Sequence, residues 1–267
     1  MDPKYLDIGQ TICEIGERLY RFGHVVANDG NISVLVDDGL VLTTPTGVCK
    51  GDMTPEMMAL IDLSGKVVSG ENKPSSETKM HLFIYKNRPD IHAVVHAHPV
   101  HATAFATAGI ALDKCVLAEI VTTIGSIPVA EYGTPSTPEL PETLRPFVQN
   151  HEAILLANHG VVTMGRDLWE AYFKLERVEH YAKVIFVSRF LGGEKTLPRN
   201  EVEKLFDLRQ NYGIEAVNPG CRVAEHGDDC GCQHESHDDA EPDLDQIAEA
   251  VFDEVKAAFA NEGETMS

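Results

Sequence analysis

Residues 91–98 have the sequence Ile-His-Ala-Val-Val-His-Ala-His, and Pro99 follows them directly. The apolar run predicts a buried β-strand, and side chains two residues apart on a strand lie on the same face of the sheet. His96 and His98 are therefore expected to project together from the end of this strand. Neutral imidazole is a common zinc ligand, but a catalytic zinc takes three protein ligands and one open position. The pair therefore needs a further ligand from elsewhere in the chain.

On both sides of this strand, segments whose apolar residues recur at helical spacing alternate with segments whose apolar pattern is typical of strands. Helices are predicted over residues 3–23, 77–85, 102–108, 141–150 and 167–191. Further strands are predicted over residues 31–36, 40–43, 58–61, 66–68, 127–130, 153–157 and 161–164. Short strands with helices between them predict an α/β fold. We expect a single-domain α/β/α sandwich with a central, mostly antiparallel sheet covered by helices, followed by a flexible C-terminal extension.

The composition is typical of a globular protein. The chain has 267 residues, 43% of them hydrophobic, which is enough for one main domain and an appendage. No run approaches the ~20 apolar residues that a membrane span requires, and the N-terminus lacks the pattern of a secretory signal. We therefore predict a cytoplasmic protein without a membrane partner. Six irregularly spaced cysteines do not indicate stabilisation by disulfides.

The charge is strongly acidic and unevenly distributed. The formal net charge of −20 argues against nucleic acid as a partner, because nucleic-acid binding needs a basic surface. Residues 215–267 hold 15 acidic and two basic residues, a net charge of −13, which leaves −7 for residues 1–214. An anionic substrate of the main domain must therefore be bound by local groups.

The C-terminal part divides into two segments after the domain at 1–214. Residues 215–242 are rich in Gly, Asp, His and Cys, and we interpret them as a flexible acidic linker. The spacing of their Cys and His residues is not typical of a zinc module. Residues 243–260 are predicted to form an amphipathic helix, because their apolar residues recur at helical spacing. Such a helix has little core of its own, so it is expected to dock on another surface.

His159, in Asn-His-Gly after a second apolar strand, is the natural third ligand. A lone histidine is more often structural, but three that end or follow buried strands are hard to explain by packing alone. Glu77 is the candidate carboxylate beside them, because it starts a helix whose first N–H groups form an anion site. The pattern equally fits a glutamate that only favours the helix dipole.

Two loops contain the residue types that bind phosphate. Asn28–Asn31 and Thr44–Gly47 combine Gly with hydroxyl or amide side chains beside predicted strands. Such loops can hold a phosphate with backbone N–H and hydroxyl donors, without Lys or Arg. Each alone is weak evidence, because ordinary turns use the same residues.

Taken together, these motifs resemble a known family. The ordered set is Gly-Asn-Ile-Ser at 30–33, Thr-Pro-Thr-Gly at 44–47, Ser-Ser-Glu at 75–77, His-Ala-His at 96–98 and Asn-His-Gly at 158–160. It is similar to that of the class II aldolase/adducin superfamily, most of all its L-fuculose-1-phosphate aldolase branch, over roughly residues 5–214.

The resemblance implies a zinc-dependent aldolase that cleaves a ketose 1-phosphate reversibly to dihydroxyacetone phosphate and a small aldehyde. His96, His98 and His159 would hold Zn²⁺, with Glu77 as the resting fourth ligand and the acid/base. The implied phosphate-binding residues are Gly30, Asn31, Thr46, Gly47, Ser75 and Ser76. Tyr212 would be a catalytic tyrosine that reaches a neighbouring active site, in a homotetramer.

One departure from the family pattern concerns the aldehyde side of the site. A second catalytic tyrosine of the fuculose enzyme would fall near Leu117, and no Tyr occurs between Tyr85 and Tyr132. Three alternatives remain open: an L-ribulose-5-phosphate 4-epimerase, a methylthioribulose-phosphate dehydratase and an adducin-like binding module. Family epimerases usually have Asp in place of Glu77, and adducin-like modules lack the histidines.

The predicted C-terminal helix carries a second resemblance. Residues 243–260 resemble the encapsulation peptides that direct enzymes into bacterial microcompartments, which are also short amphipathic helices on flexible linkers. This resemblance implies a shell protein as a partner and a location inside a compartment in the cytoplasm. The alternative is a helix that packs on the protein's own oligomer.

Overall fold

The computed structural model describes residues 3–211 and 219–223, whose centre is an eight-stranded sheet. The strands are β1 (Asn31–Val36), β2 (Leu40–Thr43), β3 (Ala59–Asp62), β4 (Val67–Ser69), β5 (Ala93–Ala97), β6 (Val129–Ala130), β7 (Ala153–Leu156) and β8 (Gly160–Gly165). Their order in the sheet is β4-β3-β2-β1-β5-β8-β7-β6. All neighbours are antiparallel except β6 and β7, which are parallel.

Helices cover both faces of the sheet. They are α1 (Leu6–Arg21), α2 (Thr78–Asn87), α3 (Val100–Thr107), α4 (Ala118–Thr123), α5 (Glu139–Thr143), α6 (Leu168–Phe190) and α7 (Arg199–Asn211). One hydrophobic cluster joins α1, α3 and α6 to one face of the sheet, and a second joins α2 and α5 to the other. Neighbouring residues of β5 alternate between them, with Val94 in the second cluster and Val95 in the first. The predicted α/β sandwich with a mostly antiparallel sheet is confirmed.

The ends of several helices differ from the prediction. Asp167 caps α6 by accepting a hydrogen bond from the Glu170 N–H. The residue before α2 is Glu77, and no side chain caps this helix. The helix predicted over 141–150 ends at Thr143, and turns with i→i−3 hydrogen bonds replace its second half. Helices α4 and α7 were not predicted; six of the 13 residues of α7 are charged, and it lacks a clear apolar period.

A disulfide joins Cys115 to Cys221, so the expectation of a chain that is not stabilised by disulfides is wrong. The two cysteines are 106 residues apart in the sequence, so no local sequence pattern indicates that they pair. Residues 219–223 pair with the chain beside Cys115: Arg222 donates its backbone N–H to the Asp113 carbonyl at 2.6 Å and accepts from the Cys115 N–H at 2.9 Å. This part of the predicted linker is therefore attached to the main domain.

Several predicted features lie outside the described residues. They are Tyr212, the remainder of the linker at 215–242 and the helix at 243–260. Among the residues that the structure does describe, no helix combines the length and apolarity needed to cross a bilayer.

A buried ion network links the end of α2 to α6. Glu152 accepts from the Arg88 guanidinium at 3.1 Å and from the Lys174 ammonium at 2.5 Å, and all three side chains are almost fully buried. Arg88 also pairs with Asp90, and Lys174 with Glu170. Each buried cation therefore has at least one carboxylate partner, which offsets the cost of removing it from water.

We expect Glu152→Ala to destabilise the fold strongly, because it leaves two buried cations without their shared carboxylate. The free energy of unfolding, measured with urea, should fall by about 3–5 kcal/mol. Glu142→Ala is the matched control, because it breaks the exposed pair with Arg145 and should cost about 0–1 kcal/mol. Equal losses in the two variants would contradict a structural role for the network.

Candidate functional site

The pairing of three central strands brings the chemically active side chains to one edge of the sheet. Asn31, the first residue of β1, lies opposite His96 near the end of β5, and Ala97 lies opposite Val161 near the start of β8. His159 is in the turn that precedes β8. His98 follows β5 directly, so side chains from three segments that are far apart in the sequence meet where β1 and β8 begin and β5 ends.

The three histidine rings face one another. Their centroids are 4.7–5.0 Å apart, and one ring nitrogen from each lies within 4.8 Å of the other two. The Nδ1 of His96 lies 2.9 Å from the Val161 carbonyl, which can only accept, so this nitrogen carries the proton. Its Nε2 therefore presents a lone pair to the Nε2 of His98, 3.0 Å away.

Glu77 completes this cluster. Its Oε2 lies 3.2 Å from the Nε2 of His96, and its Oε1 lies 3.1 Å from the Nε2 of His159. The side-chain amide of Asn31 donates to Oε2 at 2.9 Å. Burial raises the pKa of Glu77, but the neighbouring imidazoles of His96 and His159 outweigh that effect and hold the pKa far below its ordinary value. Glu77 is therefore a carboxylate at neutral pH.

The cluster fits a divalent metal ion. Nitrogens bound to zinc at ~2.0–2.1 Å in a tetrahedron lie roughly 3.3 Å apart, close to the distance between Nε2 of His96 and of His98. Burial, followed by His96 and His159, lowers the pKa of His98 to about 3, so its imidazole is in the neutral form that binds metals. The buried Oε1 of Glu77 is 3.1 Å from His159 but is not aligned for a hydrogen bond with it. A cation between these atoms would satisfy the lone pairs that now face one another.

Outer groups orient two of the three rings. The Val161 carbonyl holds His96, and the Asp29 carboxylate lies 3.5 Å from the Nδ1 of His98. Carboxylates and carbonyls in these positions fix ring orientation in metal sites. Asp29 lies in the Asn28–Asn31 loop, but the sequence pattern did not identify it as a site residue.

Two glycines are required by close backbone contacts. A Cβ on Gly30 would lie 2.9 Å from the His96 carbonyl, and Gly30 also has a φ of +73°. A Cβ on Gly160 would lie 2.5 Å from the Ala97 carbonyl oxygen. The left-handed residue of the turn before β8 is Asn158, with a φ of 55°. Gly160 allows β8 to approach β5 beneath His98.

A buried polar chain anchors α2 beneath Glu77. The Ser33 hydroxyl on β1 lies 2.7 Å from the Nδ1 of His81 and 2.7 Å from the Tyr85 hydroxyl, both on α2. Burial lowers the pKa of His81 to about 3, which keeps this ring neutral. These contacts fix α2 against β1 and thereby hold Glu77, at the start of the helix, beside the histidines.

A cavity of about 260 Å³ opens from the histidine cluster. All six residues predicted to bind phosphate line it, together with Glu77, His98 and His159. The amide of Asn31 is already bonded to Glu77, so this residue also positions the carboxylate. Sequence reasoning missed three further residues in the wall, Lys50, Pro135 and Ser136.

Other features of the chain lie apart from the histidines. A larger groove of about 920 Å³ is lined by residues of α1, by the end of β1 and by His92 and Arg166, which directly precede β5 and follow β8, and it contains none of the three histidines. Leu117, where the fuculose enzyme's second tyrosine was expected, directly precedes α4.

Comparison with known proteins agrees with the geometry. Residues 10–186 match the family model of the class II aldolase and adducin N-terminal domain. The chain is 38% identical to the L-fuculose phosphate aldolase of Methanococcus maripaludis, over 67% of this chain and 95% of that protein. It is 37% identical to the 3-oxo-tetronate 4-phosphate decarboxylase of Pectobacterium atrosepticum, over 68% of this chain and 84% of that protein.

A solved structure supports the same assignment. An L-fuculose 1-phosphate aldolase superposes with a TM-score of 0.71 at 32% identity, covering 76% of this chain and 96% of that one. With the family model spanning most of the described domain, the sheet, the histidine cluster and the sequence together identify this chain as a member of the class II aldolase superfamily.

Proposed function

We propose that this chain is a zinc-dependent lyase that cleaves a ketose 1-phosphate, such as L-fuculose 1-phosphate or L-rhamnulose 1-phosphate, to dihydroxyacetone phosphate and L-lactaldehyde. The observation that carries the proposal is the meeting of three imidazole Nε2 atoms and Glu77 at one end of a cavity lined by Gly, Ser and Thr loops. Such a cavity suits a substrate with a phosphate at one end and a reactive carbonyl near it.

A metal ion held by His96, His98 and His159 would act as a Lewis acid on the substrate's carbonyl group. Three neutral nitrogen ligands favour zinc. The hydroxyls of Thr46, Ser75 and Ser76 and the backbone N–H groups around them would bind the phosphate. Binding the substrate at both of its ends fixes the C3–C4 bond within the cavity.

Glu77 would carry the proton of the reaction. When the C3–C4 bond breaks, its electron pair stays on C3, which then needs a proton to give dihydroxyacetone phosphate. Glu77 is the carboxylate nearest the histidines, and Asn31 holds its Oε2. A carboxylate held in place in this way is suited to general acid/base catalysis at C3.

Decarboxylation is the second candidate, because one relative at 37% identity is named a 3-oxo-tetronate 4-phosphate decarboxylase. Loss of CO₂ from such a substrate also leaves an electron pair on the carbon beside the carbonyl, and its protonation also gives dihydroxyacetone phosphate. CO₂ leaves without a hydroxyl proton to remove. The missing tyrosine near Leu117 is therefore less important for decarboxylation than for aldol cleavage.

The proposed assembly is a homotetramer in which Tyr212 reaches a neighbouring active site. The family resemblance supports it, and Tyr212 lies outside the described residues. The segment 243–260 is proposed to direct the enzyme to the shell of a bacterial microcompartment in the cytoplasm, where a reactive aldehyde product would be retained.

A substrate panel distinguishes the two reactions. The zinc-loaded protein is incubated with the 1-phosphates of fuculose and rhamnulose, with 3-oxo-tetronate 4-phosphate and with ribulose 5-phosphate. Dihydroxyacetone phosphate, lactaldehyde and CO₂ are then assayed. We expect dihydroxyacetone phosphate with equal lactaldehyde from a ketose 1-phosphate. Release of CO₂ and dihydroxyacetone phosphate from 3-oxo-tetronate 4-phosphate, without lactaldehyde from either ketose 1-phosphate, would establish the second candidate, and epimerised ribulose 5-phosphate without cleavage would refute both.

Substitutions at the metal centre should separate metal binding from proton transfer. Glu77→Gln should keep most of the zinc and lose about 10²–10⁴-fold in turnover, because the amide cannot carry the proton. His159→Ala should lose both, with zinc binding weakened beyond the ~10–100-fold typical of outer-sphere changes. Metal analysis and the lyase assay measure the two effects. His92→Ala is the control, because His92 lies at the other end of β5. Near-normal turnover in Glu77→Gln would overturn its assigned role.

The targeting proposal is tested with a fluorescent protein fused to residues 243–260 and co-expressed with microcompartment shell proteins. We expect fluorescence to gather at the shells, because the apolar stripe would dock on them. A fusion with Leu244→Asp and Val251→Asp should stay diffuse, since both changes interrupt the stripe. Equal distribution of the two fusions would remove the proposal.

A further inference from the structure

Lys50 is a buried cation that neither the family motifs nor the proposed chemistry uses. It begins a short 3₁₀ helix just after the Thr44–Gly47 loop, and only 1% of its surface is exposed. Its ammonium group donates to the Asn28 carbonyl at 2.9 Å and to the Val48 carbonyl at 2.7 Å. Among the described residues it has no carboxylate partner within ion-pair distance.

This environment differs from that of the other buried lysine. Lys174 has Glu152 and Glu170 beside it, so its charge is balanced within the protein. The Lys50 ammonium group, by contrast, donates only to two carbonyl oxygens, which carry no net charge. An ammonium ion without a counter-charge is costly to bury. Burial lowers the pKa of Lys50, and the nearby Cys49 and Asp29 oppose that effect. No carboxylate of the described residues lies within ion-pair distance of Lys50 to balance its charge.

The position of Lys50 indicates where such an anion would lie. Its two acceptors belong to the two loops that form the cavity wall: Asn28 directly precedes the Asp29–Asn31 stretch, and Val48 follows Gly47. Of the described residues that line this cavity, Lys50 is the only lysine or arginine, whereas Asp29 and Glu77 both contribute carboxylates. A phosphate that binds in this cavity needs a positive charge to offset the two carboxylates. The hydroxyl and N–H groups of the loops carry no net charge, so they cannot supply it.

We propose that Lys50 is the cation of the phosphate subsite: it ties the two loops together through Asn28 and Val48, and its remaining N–H and its charge stabilise the bound phosphate. The inference rests on the proposed function, since it assumes that the cavity binds a phosphate. The two hydrogen bonds to carbonyl oxygens fix the ammonium group before the ligand arrives, so little side-chain entropy is lost on binding.

The test measures binding of inorganic phosphate by calorimetry to the zinc-loaded wild type and to Lys50→Gln, Lys50→Arg and Lys66→Gln. Lys50→Gln should raise the Kd about 10- to 100-fold, as expected for losing a charged hydrogen-bond donor. Lys50→Arg keeps the charge and should recover most of the affinity. Lys66→Gln removes an equal charge at the far end of β3 and should change the Kd by less than ~2-fold.

Two further readouts separate electrostatic stabilisation from a purely structural role. Raising the salt concentration should weaken phosphate binding more in the wild type than in Lys50→Gln, because salt screens the charge that the variant lacks. If Lys50→Gln does not fold, ¹⁵N-lysine spectra of the wild type replace it. The Lys50 ammonium signal, assigned by its loss in Lys50→Arg, should then shift as phosphate is added.

The outcomes distinguish this inference from the proposed function. Unchanged phosphate affinity in folded Lys50→Gln, or a Lys50 signal that phosphate does not shift, would overturn the role of Lys50 and leave the lyase proposal intact. A wild type that binds no phosphate but cleaves an unphosphorylated substrate would overturn the phosphate subsite itself. Loss of affinity in both Lys50→Gln and Lys50→Arg with unchanged salt dependence would assign Lys50 to loop structure alone.

Discussion

The register between β1, β5 and β8 is the constraint on which the site depends. It places Asn31 opposite His96 and Ala97 opposite Val161, so that side chains from three strands meet at one edge. His96 has the same parity along β5 as Val94 and therefore faces the side of the sheet covered by α2, where Glu77 is located. A slip of one residue would turn His96 towards α1 and α6 and remove the Glu77 contact. The two tight glycines, Gly30 and Gly160, protect this register, since a side chain at either would push the strands apart.

The site also differs from the rest of the domain in whether its buried polar and charged groups have partners. Away from the cavity, Arg88 and Lys174 share Glu152, and the chain supplies both signs of charge. Within the cavity the balance is incomplete: the lone pairs of three imidazoles and the Glu77 carboxylate face one another, and Lys50 has only carbonyl partners. Buried groups that lack partners are costly, so a domain that retains them at one place is built to bind ligands there. The two imbalances have opposite signs, and under the proposed function a cation at the histidines and a phosphate at the loops would balance them.

Local patterns predicted the parts of this site that depend on alternation along a strand. His96 and His98 could be placed together because residues two apart share a face, and the strands around them have strong apolar runs. Contacts between distant segments could not be predicted in the same way. Three such contacts are the hydrogen bond from Asn31 to Glu77, the contact of Asp29 with His98 and the disulfide between Cys115 and Cys221. Each joins distant parts of the chain, and no sequence pattern indicates that these parts will meet. Lys50 was missed because a lysine in a polar loop is usually exposed, and its burial depends on how two loops fold around it.

Under the proposed function, the site has one half that the candidate reactions share and one half in which they differ. Aldol cleavage and decarboxylation both leave an electron pair on the carbon beside the carbonyl, so both need the histidine cluster, the phosphate loops and a proton from Glu77. They differ in the fragment that leaves, because an aldehyde forms only after its hydroxyl proton is removed, whereas CO₂ needs no such step. The residues that bind the phosphate and the carbonyl therefore cannot determine the reaction. The choice depends on a proton acceptor for the leaving fragment, and the stretch between Tyr85 and Tyr132, which includes Leu117, contains no tyrosine to serve as one.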